Sequence, residues 1–264
     1  MRSMKGSGVL ALGVMLMMGF GARRVAAQAA LPWYEPFDYA VGNLAGRGGW
    51  TQSGTRTAAP VQVMNGSLSG QGLPAGRGGR VLLANGTNYQ SVGHDVAGEA
   101  AGGLYASFVL LVDAPGNATG DFFFAFSSAG AGAQDLCARV LVRQAGSGQF
   151  QIGLSNTTGD NPVWTAAAYP AGTPMFVVSA YAFGQGGMDD VGQVWINPPC
   201  GLAEPPAPDL SLPVLEPLAA PGRVHLRQGA GDSSLTLEVD ELRVATSWAE
   251  ATPAASAVGE WALY

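Results

Sequence analysis

The chain has 264 residues, 47% of them apolar and only 12% charged, with a formal net charge of −6. The single Lys, Lys5, and Arg2, Arg23 and Arg24 fall within the first thirty residues, while all nineteen acids lie beyond them. The remaining nine Arg against nineteen acids leave a balance near −10. That argues against a nucleic-acid binder, which needs basic clusters to neutralise phosphates.

Arg2 and Lys5 precede an apolar run of twelve residues, Val9 to Phe20. A bilayer span needs about 20. Small residues follow, and Val25-Ala26-Ala27 and Ala27-Gln28-Ala29 both suit a signal peptidase. Residues 1–29 therefore read as a secretory signal peptide, with an uncleaved N-terminal anchor as the alternative. No later stretch is long and apolar enough for a span, so a secreted or cell-surface product with no membrane span in the mature chain is expected. Residues 30–253 suit one large domain, and residues 254–264 a loosely ordered tail. The 39 glycines fall between apolar runs and belong in turns.

Strand candidates follow at short intervals. Arg80–Ala84, Leu104–Asp113 and Asp121–Ser127 are largely apolar. Ala138–Arg143 alternates, with Val140 and Val142 on one face and Arg139, Leu141 and Arg143 on the other. Gln149–Leu154 turns Phe150 and Ile152 inward, and Met175–Phe183 and Val191–Asn197 follow. Arg223–Gln228 sets Val224 and Leu226 against outward Arg223, His225 and Arg227, on a face expected to be solvated. Residues 234–253 predict a long strand and then one short helical turn. Period-two alternation at this density marks half-buried strands. Ala145–Gly148 reads as a hairpin turn, Gly184–Asp190 as a second connection, and Pro198, Pro199, Pro205, Pro206 and Pro208 exclude a central strand between them. The expected fold is an all-β sandwich of two antiparallel sheets.

Cys137 and Cys200 are the only cysteines. In an oxidising compartment such a pair predicts a disulfide, with two separate thiols as the alternative.

Several motifs, in order, resemble one family. They are Tyr34-Glu35-Pro36-Phe37-Asp38-Tyr39, Gly48-Gly49-Trp50, the strand Leu104–Phe108, and Asp121-Phe122-Phe123-Phe124. Asp189-Asp190 ahead of Gln193–Pro198, then Asp240–Val244 and Ser247-Trp248, complete the set. Together they are similar to the LamG-like, concanavalin A-like jelly rolls of secreted bacterial proteins, over about residues 33–250. The resemblance implies two curved antiparallel sheets and a module that is often non-catalytic.

Concanavalin A-like folds also include glycoside hydrolases, which need two carboxylates flanking the scissile bond. The nearest candidate is Glu238-Val239-Asp240-Glu241. Glu238 and Asp240 share a face of the strand, and Glu241 would join them only through a bulge that nothing in the sequence marks. The alternative is structural: Glu241 paired with Arg243, and Asp240 tying the strand to a loop. His94, expected in a loop, and His225 are the only histidines, and no Gly-x-Ser-x-Gly elbow accompanies them. No catalytic residue is therefore assigned.

Asp189 and Asp190 are the first candidates for a calcium site, with Asp38, Asp240 and Gly159-Asp160-Asn161 behind them; turn chemistry is the alternative. Trp164, Tyr169 and Trp195 are the candidate platforms for a sugar, with burial as the competing use, and Tyr105 is a further candidate. Trp33, Trp50 and Trp248 are expected to seal sandwich edges. The sequence thus points to a secreted binding or adhesion module whose partner is a glycan or the extracellular matrix. A glycoside hydrolase and a structural envelope module are the alternatives.

Overall fold

The computed structural model describes residues 28–69, 72–86, 89–99, 101–130, 132, 135–156, 161–186, 189–229 and 234–254. Residues 1–27 of the expected 1–29 signal peptide and the tail beyond 254 lie outside these residues, as do Gly159 and Asp160.

The strands are β1 (Trp33–Glu35), β2 (Gly42–Asn43), β3 (Thr51–Ser53), β4 (Gln62–Asn65), β5 (Gly79–Ala84) and β6 (Ser91–Asp95). Next come β7 (Gly103–Pro115), β8 (Asp121–Ser128), β9 (Cys137–Gly146), β10 (Gln149–Ser155), β11 (Val163–Trp164) and β12 (Tyr169–Pro170). The last are β13 (Met175–Ala182), β14 (Val191–Ile196), β15 (Leu210–Pro213), β16 (Pro221–Arg227) and β17 (Leu235–Ala245), before the single turn α1 (Trp248–Ala251). Every expected strand is present. β6 corrects one expectation, because it puts His94 in a strand where a loop was predicted. Its Gly and polar residues hide the alternation.

Two antiparallel sheets stack face to face. The first has the order β15-β14-β13-β7-β17-β5-β4-β2, with β1 also paired to β17. The second has the order β11-β10-β9-β8-β16-β6-β3, with β12 also paired to β10. The chain passes from sheet to sheet repeatedly, as a jelly roll does. Inward residues of both sheets, among them Phe108, Phe124, Phe126, Val140, Phe150 and Leu226, form one core. Phe108 and Phe124 lie 5.0 Å apart there, a tilted aromatic pair across the interface.

β7 and β13 read as almost unbroken apolar runs because both of their faces are buried. Outward Val109, Phe176, Val178 and Ala180 meet Leu73, Trp195 and Trp248 in a second cluster on the outer face of the first sheet. Trp248 is carried there by α1, whose first turn is N-capped by Ser247: its Oγ accepts from Glu250 N and donates to the Glu250 carboxylate at 2.7 Å. The proline-rich loop closes over the same face, with Trp195 Nε1 donating to Pro206 O at 2.8 Å. Among the described residues no helix is long and apolar enough to cross a membrane.

The cysteines are not bonded to each other. This corrects the disulfide expectation, and the reason is topological. Cys137 opens β9 inside the core between the sheets, while Cys200 packs on the cluster outside the first sheet. Burial pushes both thiols up from their ordinary range.

Candidate ligand-binding face

The acids of β17 come first, because they are the ones that would make this fold an enzyme. Between Asp240 and Arg243 the strand advances three residues while its partner β7 advances two, from Val109 to Ser107. This is a β-bulge, and Glu241 sits in it at φ 54°. The expectation of an unbulged strand is therefore wrong. The bulge turns Glu241 to the side of Glu238 and Asp240, and Leu242 returns to the core. Asp–Glu gives no local cue for this, since bulges are more often signalled by Gly.

The re-aimed acids do not open onto a cleft. Asp240 is 0% exposed and accepts from Ser67 Oγ at 2.5 Å and Leu68 N at 2.7 Å. Glu241 is 1% exposed and accepts from Tyr34 Oη, Arg77 N and Arg243, each at 2.8 Å. Glu238 pairs with Arg80 at 2.5 Å. Two neighbouring carboxylates thus pin the two ends of the 67–77 segment onto the sheet. Burial drives the Asp240 carboxyl up to about 7, despite three hydrogen bonds that oppose the shift and with some help from Glu241 beside it. The Glu241–Arg243 pairing and the Asp240 tie to a loop are the structural arrangement set out above as the alternative.

The outer face of the second sheet is built differently. Outward residues of β3, β6, β16, β8 and β9 gather there. At its centre His225 is only 1% exposed, which corrects the expected solvated face. Its Nε2 lies 2.7 Å from Ser127 Oγ and its Nδ1 lies 3.3 Å from Ser53 Oγ. Burial, reinforced by Arg223, pushes the imidazole down to about 3. The Ser127–His225 pair is thus a weak proton acceptor, with a hydroxyl in place of an orienting carboxylate, and Ser127 is fully buried. Beside it Arg223 donates to Asp95 and to Thr51, each at 2.6 Å. Its guanidinium lies over Gly93, where a Cβ would come within 2.4 Å of Nε.

Around this centre, arginines and aromatic rings alternate across the strands. Arg56 stacks on Tyr89 at 4.3 Å. Arg227 lies 5.8 Å from the same ring and 4.0 Å from Phe122, and Arg139 reaches Phe122 at 5.4 Å. Further along, Arg143 stacks on Trp164 at 4.3 Å and donates to Gln151 Oε1 from Nε at 2.9 Å. The Trp164 ring lies against the sheet because position 153 is Gly; a Cβ there would meet the ring at 2.7 Å. Tyr89, Phe122, Trp164, Arg143 and Arg227 are all partly exposed, and Arg56 is exposed.

Of the three expected sugar platforms, only Trp164 lies on this face. Tyr169 packs on the core beside Phe150, 5.9 Å away. Trp195 is 2% exposed, in the cluster outside the first sheet, 5.0 Å from Trp248 and 6.3 Å from Tyr105. Trp50 is buried with Nε1 donating to Glu35 at 2.9 Å, and Trp33 stacks on His94 at 4.1 Å.

Asp189 and Asp190 are engaged by protein donors. Asp190 accepts from Tyr181 Oη at 2.5 Å and from Gly184 N at 3.0 Å, and both Asp189 oxygens accept from Gly186 N. Calcium takes six to eight oxygens. No group of three or more His, Cys, Asp or Glu among the described residues is placed to hold a metal. Two hollows of about 510 and 600 Å³ flank Pro217, Leu218 and Ala219 at one end of the sandwich. Asp135 and Glu216 border the first and Asp190 the second, and among the described residues no Trp or Tyr lines either.

No protein-family model and no curated protein matches the sequence. Solved structures are similar in fold at low identity. A conserved carbohydrate esterase from the Shiga toxin-encoding bacteriophage phi24B is 13% identical, with a TM-score of 0.45 over 78% of this chain and 98% of that one. An alginate lyase from Pseudomonas aeruginosa is 12% identical, with a TM-score of 0.42 over 63% and 82%. A Shewanella oneidensis protein of unknown function is 12% identical, with a TM-score of 0.45 over 87% and 91%.

Proposed function

We propose that this chain is an exported, non-catalytic glycan-binding module of the LamG-like type, which takes its ligand across the outer face of the second sheet. The observation that carries this reading is the Trp164–Arg143 stack, laid on Gly153 and continued across the strands by Phe122 and Tyr89. A flat aromatic ring beside outward polar donors suits the apolar face and the hydroxyls of a sugar. The acids of β17 favour no hydrolase, since each is enclosed by protein donors with no space for a scissile bond between them.

The test is a glycan array probed with the full-length exported protein, together with the Trp164→Ala variant. The native protein should retain a defined set of glycans, and the variant should lose about tenfold in affinity for them, which corresponds to one stacked ring. A blank array would overturn the reading. So would glycan binding that Trp164→Ala leaves untouched.

A further inference from the structure

We infer that the ligand of this face is a polyanionic polysaccharide, carrying uronate carboxylates or sulfate esters, gripped by Arg56, Arg143 and Arg227 with Tyr89, Phe122 and Trp164 between them. This rests on the glycan-binding reading and names its ligand class.

The argument begins with a distribution. Beyond residue 27 the chain has nine arginines, and five of them, Arg56, Arg139, Arg143, Arg223 and Arg227, stand on this one face. Among the described residues, Asp95 and Asp121 face them, each already held in an ion pair, with Arg223 at 2.6 Å and with Arg227 at 2.5 Å. Elsewhere the arginines meet acids readily, as Arg80 does with Glu238 and Arg243 with Glu241. The chain has nineteen acids to offer, yet among the described residues Arg56 and Arg143 meet none. Arg143 is matched to the neutral Gln151 and to a ring, and Arg56 only to a ring.

Guanidinium groups stacked on rings are pre-set in orientation, and the Nε and Nη2 edge of Arg143 is spent on Gln151, a neutral acceptor that a carboxylate or sulfate can replace. The alternation of cation and ring matches a chain in which each sugar offers an apolar face and an anionic edge. From Tyr89, beside β6, to Trp164 in β11 is five strand spacings, about 24 Å, which is long enough for several sugar units. A polynucleotide is also anionic and also stacks, and the oligonucleotide arm of the experiment separates it from the polysaccharide.

The experiment is calorimetric titration of the full-length exported chain with polygalacturonate, dextran sulfate, uncharged dextran and a single-stranded oligodeoxynucleotide, at about 50 mM and 500 mM salt. At least one anionic polysaccharide should bind tenfold or more tighter than dextran, and its affinity should fall as salt rises. The double variant Arg56→Ala/Arg143→Ala should weaken that binding about tenfold. Arg77→Ala, with its side chain on the other side of the sandwich, should leave it unchanged. Unfolding curves of the variants that overlay the native curve confirm that the fold is kept. Dextran bound as tightly as the anionic chains overturns the ligand class and leaves the glycan reading standing. No polysaccharide bound overturns both. An oligonucleotide bound as well as the sugars, or equal loss in Arg77→Ala, overturns the inference as a non-specific charge effect.

Discussion

On the outer face of the first sheet, the charged groups around the β17 bulge are met from within the protein. Glu238 has Arg80, Asp240 has Ser67 and Leu68, and Glu241 has Tyr34, Arg77 and Arg243. A capping turn, a strap and a proline-rich loop then close over them. On the outer face of the second sheet, Arg56 and Arg143 are stacked on rings and meet no carboxylate among the described residues. The faces thus differ at these positions: each carboxylate around the bulge has a protein partner, whereas Arg56 and Arg143 have none of opposite charge among the described residues. Polar groups satisfied under cover serve stability, and groups held in place with donors left over serve a partner. The acids that resemble an enzyme's are enclosed by protein donors, and the residues that look like ordinary strand exterior form the proposed binding surface.

This comparison can be broken most directly at Trp248. Its loss should uncap the first sheet and cost about 3–5 kcal/mol, as for other buried large side chains, measured as a fall in the urea midpoint. Polysaccharide affinity should stay the same where the protein is folded. If Trp248→Ala were neutral to stability, the first face would not be a structural one. Asp240→Ala leaves Ser67, Leu68 and the Glu241 N–H without their acceptor and should cost about 2–3 kcal/mol by the same measurement.

The faces should also respond to pH with opposite signs. The Asp240 carboxyl is raised from 3.8 to about 7 by burial. Its contribution is fully present below about 4 and is lost as pH rises through 7. The His225 imidazole is lowered from 6.5 to about 3 by burial. Its contribution is present above 6.5 and is lost as pH falls toward 3. Stability relative to the native protein should therefore rise with pH for Asp240→Asn and fall with pH for His225→Gln. Urea midpoints at pH 4.5 and 7.5 measure this, and parallel profiles for both variants would contradict the assignment.

Gly93→Ala should cost about 1–3 kcal/mol, because the new methyl meets the Arg223 guanidinium at 2.4 Å. It should also disturb binding, since Arg223 is displaced from Asp95. The smallest effects concern thiols and ions. A thiol reagent should titrate Cys200 slowly in the native protein and Cys137 only after unfolding, with no change under reductant. Chelation by EDTA should leave the unfolding midpoint unchanged.

Much of this was open to reading along the chain. Alternation in Ala138–Arg143 and Arg223–Gln228 already turned Arg139, Arg143, Arg223 and Arg227 to one side of their strands. What could not be read is that β9 and β16 lie two strands apart in one sheet, with β8 between them. That juxtaposition makes Phe122 a shared platform for Arg139 and Arg227. Tyr89 and Arg56 were missed because they flank short strands with no alternation of their own. Trp164 was legible as a candidate because it is a lone Trp beside turn residues. Trp195 alternates with Val194 and Ile196 in a strand and reads equally as sheet cover, and it is buried because β14 faces α1.

The sequence by itself determined the all-β class, the positions of the long strands, the terminal helical turn and the division of each strand into an inner and an outer side, because a pleated chain alternates with period two regardless of its neighbours. Tertiary structure alone decided which strands share a sheet, where β17 bulges, which outer face is covered, and that Cys137 and Cys200 lie on opposite sides of the first sheet. Those outcomes depend on contacts between residues far apart in the chain, and no local periodicity encodes them.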